Sequence, residues 1–136
     1  MEEQNVGTIF TLEDLNPGTE FTFPDGGKIT LRLCAGDDLK EIKKQTTKNK
    51  IEYKNGTRIP YTVTDENLEN RLLWDFCIVG WENLFSDAEK TKLIPCTTEN
   101  KILLMGKSIK FSRFVSDCLE QLASIEKDEA EQIEKN

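Results

Sequence analysis

The chain of 136 residues contains no histidine. That single absence removes Ser-His-Asp triads, Cys-His pairs and imidazole metal sites. Carboxylate, lysine or thiol chemistry remains possible. The cysteines Cys34, Cys77, Cys96 and Cys118 are scattered, with no C-x-x-C pair. The close ligand pairs of a zinc site are therefore missing. Each cysteine has apolar neighbours, as in Phe76-Cys77-Ile78, so all four read as small hydrophobes with free thiols. A reducing compartment would keep them so. No run approaches the ~20 apolar residues that cross a bilayer. Met1-Glu2-Glu3-Gln4 is acidic and polar, the opposite of a signal-peptide start. The expectation is a cytosolic protein that meets no membrane.

What is present is a polar, acidic chain. Acids number 25 against 18 bases, giving a formal charge of −7. This balance repels phosphate backbones, so no nucleic-acid partner is expected. One basic stretch runs through Lys40, Lys43, Lys44, Lys48, Lys50 and Lys54, and reads as a solvated helix and hairpin edge. Hydrophobic residues are 37%, too many for wholesale disorder, and the length suits one core. The predicted division is a loosely ordered arm over 1–17, a single domain over 18–125 and an acidic tail over 126–136.

Within the domain, Thr19 to Phe23 alternates polar and apolar, Pro24-Asp25-Gly26-Gly27 supplies turn chemistry, and Lys28 to Leu33 alternates again. This predicts a β-hairpin. Asp37 or Asp38 is positioned to cap a short helix running to about Thr46. A second hairpin follows, with Asn55-Gly56 as its turn and Pro60 marking an edge or bulge. Leu68, Leu72, Phe76 and Val79 share one helical face, and Gly80 reads as the stop of that helix. Trp81 is then either a plug at the joint or an interface anchor. Trp74, on the same stripe, reads as core. Thr97 or Thr98 caps a brief helix over 99–105, and Ser108 caps a last one through Phe111, Val115, Cys118 and Leu122. Hairpin, helix, hairpin, helix and then helices predict an α+β fold, with both hairpins and the short helix in the N-terminal half and helices packing one core in the C-terminal half.

No constellation demands catalysis. Gly106-Lys107-Ser108 matches the end of a phosphate loop, but Lys101 occupies the position where that loop needs glycine, so the backbone cradle is missing. Asp37-Asp38, Asp65-Glu66 and Glu82 lack calcium-site spacing, and acids at a helix start are explained by capping and the helix dipole. No catalytic residue, cofactor or metal ligand is assigned, and the expectation is a non-enzymatic protein. A histidine-free carboxylate or cysteine enzyme is the remaining catalytic alternative.

One segment carries a family likeness. Val79-Gly80-Trp81-Glu82-Asn83-Leu84 is followed by a polar turn, then by Ile94-Pro95-Cys96-Thr97-Thr98-Glu99-Asn100-Lys101 and Leu103-Leu104. This order resembles the phage and prophage tail assembly chaperone-like proteins. In these, a tryptophan element, a polar turn and a "hydrophobic-Pro-x-Ser/Thr-x-Glu-Asn" box precede a final helix. Ser86-Asp87-Ala88-Glu89 stands where the family's turn usually has glycine. The box itself reads as structural: Pro95 ends an extended run, Thr97 caps, and Glu99-Asn100 open the helix.

The resemblance implies a protein that works in the cytoplasm of a bacterial host. Its implied partner is the phage tape-measure protein or the tail tube protein, held until virion assembly. Holding a helix needs an amphipathic groove. The candidate protein-binding residues are Trp81, Leu84, Phe85, Phe111 and Val115. A structural tail or head-tail component, or another phage-encoded interaction module, is the alternative reading.

Overall fold

The computed structural model describes residues 6–8 and 15–135. Expectations at Ile9, Phe10 and Leu12 lie outside the described residues. In chain order the elements are β1 (Thr19–Thr22), β2 (Lys28–Leu31), α1 (Asp37–Thr46), β3 (Thr47–Lys54), β4 (Thr57–Thr64), α2 (Glu66–Cys77), β5 (Ile78–Glu82), α3 (Thr98–Lys107) and α4 (Ile109–Lys135). The fold is α+β, with two small antiparallel sheets, one ordered β1-β2-β5 and the other β3-β4.

The first hairpin closes through Phe23, whose amide donates to the Gly27 carbonyl at 2.7 Å and whose carbonyl accepts from the Gly26 amide at 3.0 Å. The turn thereby tucks Phe23 inward. Its ring stacks on Phe114 with centroids 4.1 Å apart and lies 6.2 Å from Phe111. Ile29 and Leu31 of β2, Ile78 of β5 and Val115 of α4 are fully buried around it. This cluster is the core.

The structure corrects the expected helix end. α2 stops at Cys77, and Ile78–Glu82 is a strand paired with β2, in place of a helix closed by Gly80. Ile29 pairs with Trp81 and Leu31 with Ile78, and the register slips between them. The slip makes Val79 an extra, exposed residue. Such a bulge turns Ile78 and Trp81, three apart, onto the same core-facing side. Arg32 secures the junction. Its Nε donates to the Phe76 carbonyl at 2.8 Å, and its guanidinium lies 3.8 Å from the centre of the Phe76 ring. A cation is thus placed on free carbonyls at a helix C-terminus, where the dipole favours it.

Other local expectations also change. Gly36, at φ +60°, precedes α1 without any side-chain cap, so neither Asp37 nor Asp38 caps it. Leu68 and Val79 are exposed, so the expected α2 stripe is only half used. Trp74 is half-buried beside Leu68, Arg71 and Met105 in a shallow groove between α2 and α3, outside the core cluster. Gly106 and Lys107 belong to α3, and Ser108 is the break; its hydroxyl accepts from the Phe111 amide at 3.1 Å. α3 and α4 meet there. α4 continues through the acidic segment to Lys135.

The second hairpin, β3–β4, is rooted between α1 and α2. The Asp65 amide donates to the Thr46 carbonyl at 2.8 Å, closing its base. Lys43 of α1 pairs with Glu69 of α2 at 3.0 Å on the body side. Asn55 and Gly56 both take positive φ, 53° and 75°, as the expected two-residue turn requires. Pairing is continuous from Thr47↔Thr64 to Lys54↔Thr57. Hydrogen-bonded pairs alternate from the turn, so the Ile51↔Pro60 pair is a non-bonded one. The ring nitrogen of Pro60 therefore faces the outer edge and no ladder bond is lost. Pro60 marks an edge, without a bulge.

Candidate functional site

A half-open cleft lies between the sheet, the segment after it and the last two helices. Its volume is about 560 Å³. Phe23, Leu104 and Phe111 supply apolar floor, and Leu84, Phe85 and Ile94 supply one wall. Asp25, Asp87, Lys90 and Lys110 stand around the mouth. Asp25 and Lys110 pair across it at 3.6 Å, both side chains being largely exposed. An apolar floor with mixed charge at the rim is the usual build of a binding cleft.

The wall is held by a loop folded back on itself. The Ile94 amide donates to the Leu84 carbonyl at 2.8 Å, the Ser86 amide donates to the Lys92 carbonyl at 2.9 Å, and Phe85 bridges to Leu93. Asp87 fastens the turn. Its carboxylate accepts from the Thr91 hydroxyl and from the amides of Thr91 and Lys92, the latter at 2.9 Å. The Thr91 hydroxyl, followed by the Lys92 amide, holds the Asp87 carboxyl below its usual range. The acid's bonds hold the loop.

Gly27 sets the cleft's width. A Cβ there would sit 2.8 Å from Cδ2 of Leu84 and 3.1 Å from the Asn83 carbonyl oxygen. A larger residue would force the Leu84 side chain aside and crowd the Asn83 carbonyl.

The five sequence-derived residues separate into two groups. Leu84, Phe85 and Phe111 line the cleft. Val115 is fully buried beneath it, with no surface to offer. Trp81 is packed against the core; its Nε1 donates to the Ile94 carbonyl at 2.7 Å and its ring meets Phe111 edge-on at 5.9 Å. It is the plug of the two readings. Phe23 and Gly27, read only as hairpin residues, and Ile94 and Leu104, quoted only within the family likeness, join the site because long-range packing brings them there. The alternation that placed Phe23 inside its hairpin was the one available signal.

The Pro95–Lys101 box fastens α3. Thr97 accepts from the Asn100 amide at 3.2 Å, as expected of the cap. The Thr98 hydroxyl donates to Asp75 of α2 at 2.7 Å, and Lys101, almost fully buried, donates to the same carboxylate at 3.2 Å. Thr98 first, then Lys101, holds the Asp75 carboxyl below its usual range. Glu99 pairs with Arg71.

The thiols are pushed the opposite way from a nucleophile's. Burial raises Cys34, Cys96 and Cys118, and lifts Cys77 to about 11. Cys77 and Cys118 are buried as expected, whereas Cys96 is exposed and Cys34 half-buried. Among the described residues no three acids or cysteines cluster as metal ligands, and no helix is long and apolar enough to cross a membrane. Comparison of the chain with protein families, curated proteins and solved structures gives no match.

Proposed function

We infer that this chain is a non-enzymatic, phage tail assembly chaperone-like protein that holds a helical client through the cleft at Leu84, Phe85 and Phe111. The client would be the tape-measure protein or the tail tube protein, bound in the bacterial cytoplasm before assembly. The observation that carries this reading is the cleft itself: an apolar floor and wall with charges of both signs at the mouth. That suits an amphipathic helix presenting apolar anchors at i, i+3 or i+4 and polar flanks. The raised thiols and the structural use of Asp75 and Asp87 weigh against a thiol or carboxylate enzyme.

The test is co-expression with the products of the flanking genes, followed by size-exclusion chromatography. Co-elution with a long helical neighbour that is insoluble alone is the expected result, and Phe85→Asp should abolish it. Elution alone, with that neighbour still insoluble, would overturn the reading. Recovery of the chain from purified virions would instead favour a structural tail component.

A further inference from the structure

The β3–β4 hairpin is an arm whose residues from Lys48 to Thr64 are all exposed. None of them lines the cleft. A two-stranded ribbon exposed on both faces is marginal in water, and this one shows Ile51, Tyr53, Ile59, Tyr61 and Val63 at 40–73% exposure. Its register sorts the two faces. Lys48, Lys50 and Glu52 lie opposite Val63, Tyr61 and Ile59, so the outer part of one face sets Lys48 and Lys50 beside Val63 and Tyr61. Over residues 47–64 four bases meet one acid, a formal +3 in a chain of −7. The remainder of the chain is therefore −10.

A second element extends past the body. α4 gives the core Phe111, Phe114, Val115, Cys118, Leu119 and Leu122. From Ala123 to Glu129 every side chain is exposed, including Ile125 at 46%. Over 123–136 five acids meet two lysines, a formal −3. An acidic helical segment without tertiary packing is also marginal alone.

We propose that the Lys48/Lys50–Tyr61/Val63 face of the arm docks on the acidic outer half of α4 in a second copy of the chain. Charge complementarity selects this occupant. The arm is basic, the helix is acidic, and each offers apolar side chains that its own body leaves uncovered. A two-fold arrangement makes the contact twice, arm to helix and helix to arm. Nucleic acid matches the arm's charge but meets repulsion from the −10 remainder.

Sedimentation equilibrium of the full chain decides. At about 50 mM salt the wild type should have twice the monomer mass of 15.6 kDa, and at about 500 mM salt the dimer should dissociate, since rim charges are screened. Lys48→Glu/Lys50→Glu should weaken self-association about tenfold or more while circular dichroism stays unchanged. Glu126→Lys/Glu129→Lys should do the same, and mixing the two charge-reversed variants should restore a dimer. A monomeric wild type at low salt would overturn the proposal, as would a dimer indifferent to both variants. Capture of a labelled duplex by the monomeric wild type, lost in the arm variant, would reassign the arm to a phosphate backbone and likewise overturn it.

Discussion

The indole of Trp81 is bonded to the backbone of Ile94, Nε1 to carbonyl oxygen at 2.7 Å. One side chain thus joins the bulged edge of the β1-β2-β5 sheet to the far wall of the cleft. Trp81→Phe keeps the apolar plug and removes the donor. Its cost should be that of one part-buried hydrogen bond, about 1 kcal/mol or less. Trp81→Ala removes the plug too and should cost about 3 kcal/mol. Urea titration followed by circular dichroism checks both values. An exposed interface anchor would show no loss of stability in either variant.

Gly27 permits the closest approach in the site, and its replacement acts on the cleft directly. Gly27→Ala should push Leu84 into the opening and strain the contact with the Asn83 carbonyl. The cost should be about 1–2 kcal/mol, with loss of client co-elution. Gly27→Ala combined with Leu84→Ala should be less destabilised than the sum of the single variants, because the clashing atom is gone. Thermal melts of the four proteins form the cycle. Strict additivity would show that the two residues do not meet.

How much of this was legible in the sequence depends on the range of the physics involved. Both hairpins were, because Pro24-Asp25-Gly26-Gly27 and Asn55-Gly56 specify turns locally. The caps at Thr97 and Ser108 were local in the same sense. β5 was not. Val79 continues the helical spacing of Leu68, Leu72 and Phe76, yet it is the extra, exposed residue of a bulge in β5. A pattern read along the chain cannot separate helix from bulged strand; the pairing of Trp81 with Ile29 does. Leu84 and Phe85 were found from apolar character near the tryptophan, and Phe111 from the apolar face of the last helix. Phe23 and Gly27 were read only as hairpin residues, since nothing in a turn announces what will pack on it.

Asp75 gives the fold a defined response to acid. Its folded carboxyl titrates below the ordinary 3.8 because the Thr98 hydroxyl and then Lys101 bond to the ionised form. The unfolded chain therefore binds more protons at this site. Its contribution is complete above the unfolded value and is lost as pH falls through the lower, folded one. Asp75→Asn should flatten the pH dependence of stability below about pH 4. At neutral pH it should cost about 1–2 kcal/mol, less than a fully buried pair, because Asp75 is 43% exposed while Lys101 is 10% exposed. Lys101→Met restores an apolar fit between α2 and α3 and should recover part of that loss. Guanidinium titrations from about pH 3 to pH 7 give the comparison.

The body should not need the β3–β4 arm. Thr46 and Asp65 are bonded across its base, Lys43 and Glu69 join α1 to α2 below it, and no arm residue beyond Thr47 belongs to the core cluster. Replacing 48–63 with two glycines spans ends that are already side by side, so the closure entropy changes little. The arm also carries exposed Ile51, Tyr53, Ile59, Tyr61 and Val63, whose removal takes apolar surface out of water in both folded and unfolded states. At about 500 mM salt, where the arm-mediated dimer is dissociated, the excised protein should melt within a few degrees of the wild type, a change of about 1 kcal/mol or less. Its client binding should be retained, because the cleft draws no residue from the arm. A collapse of the melting transition would mean that β3–β4 supports the helices it separates in sequence. A retained fold with lost client binding would move the client's contact from the cleft to the ribbon.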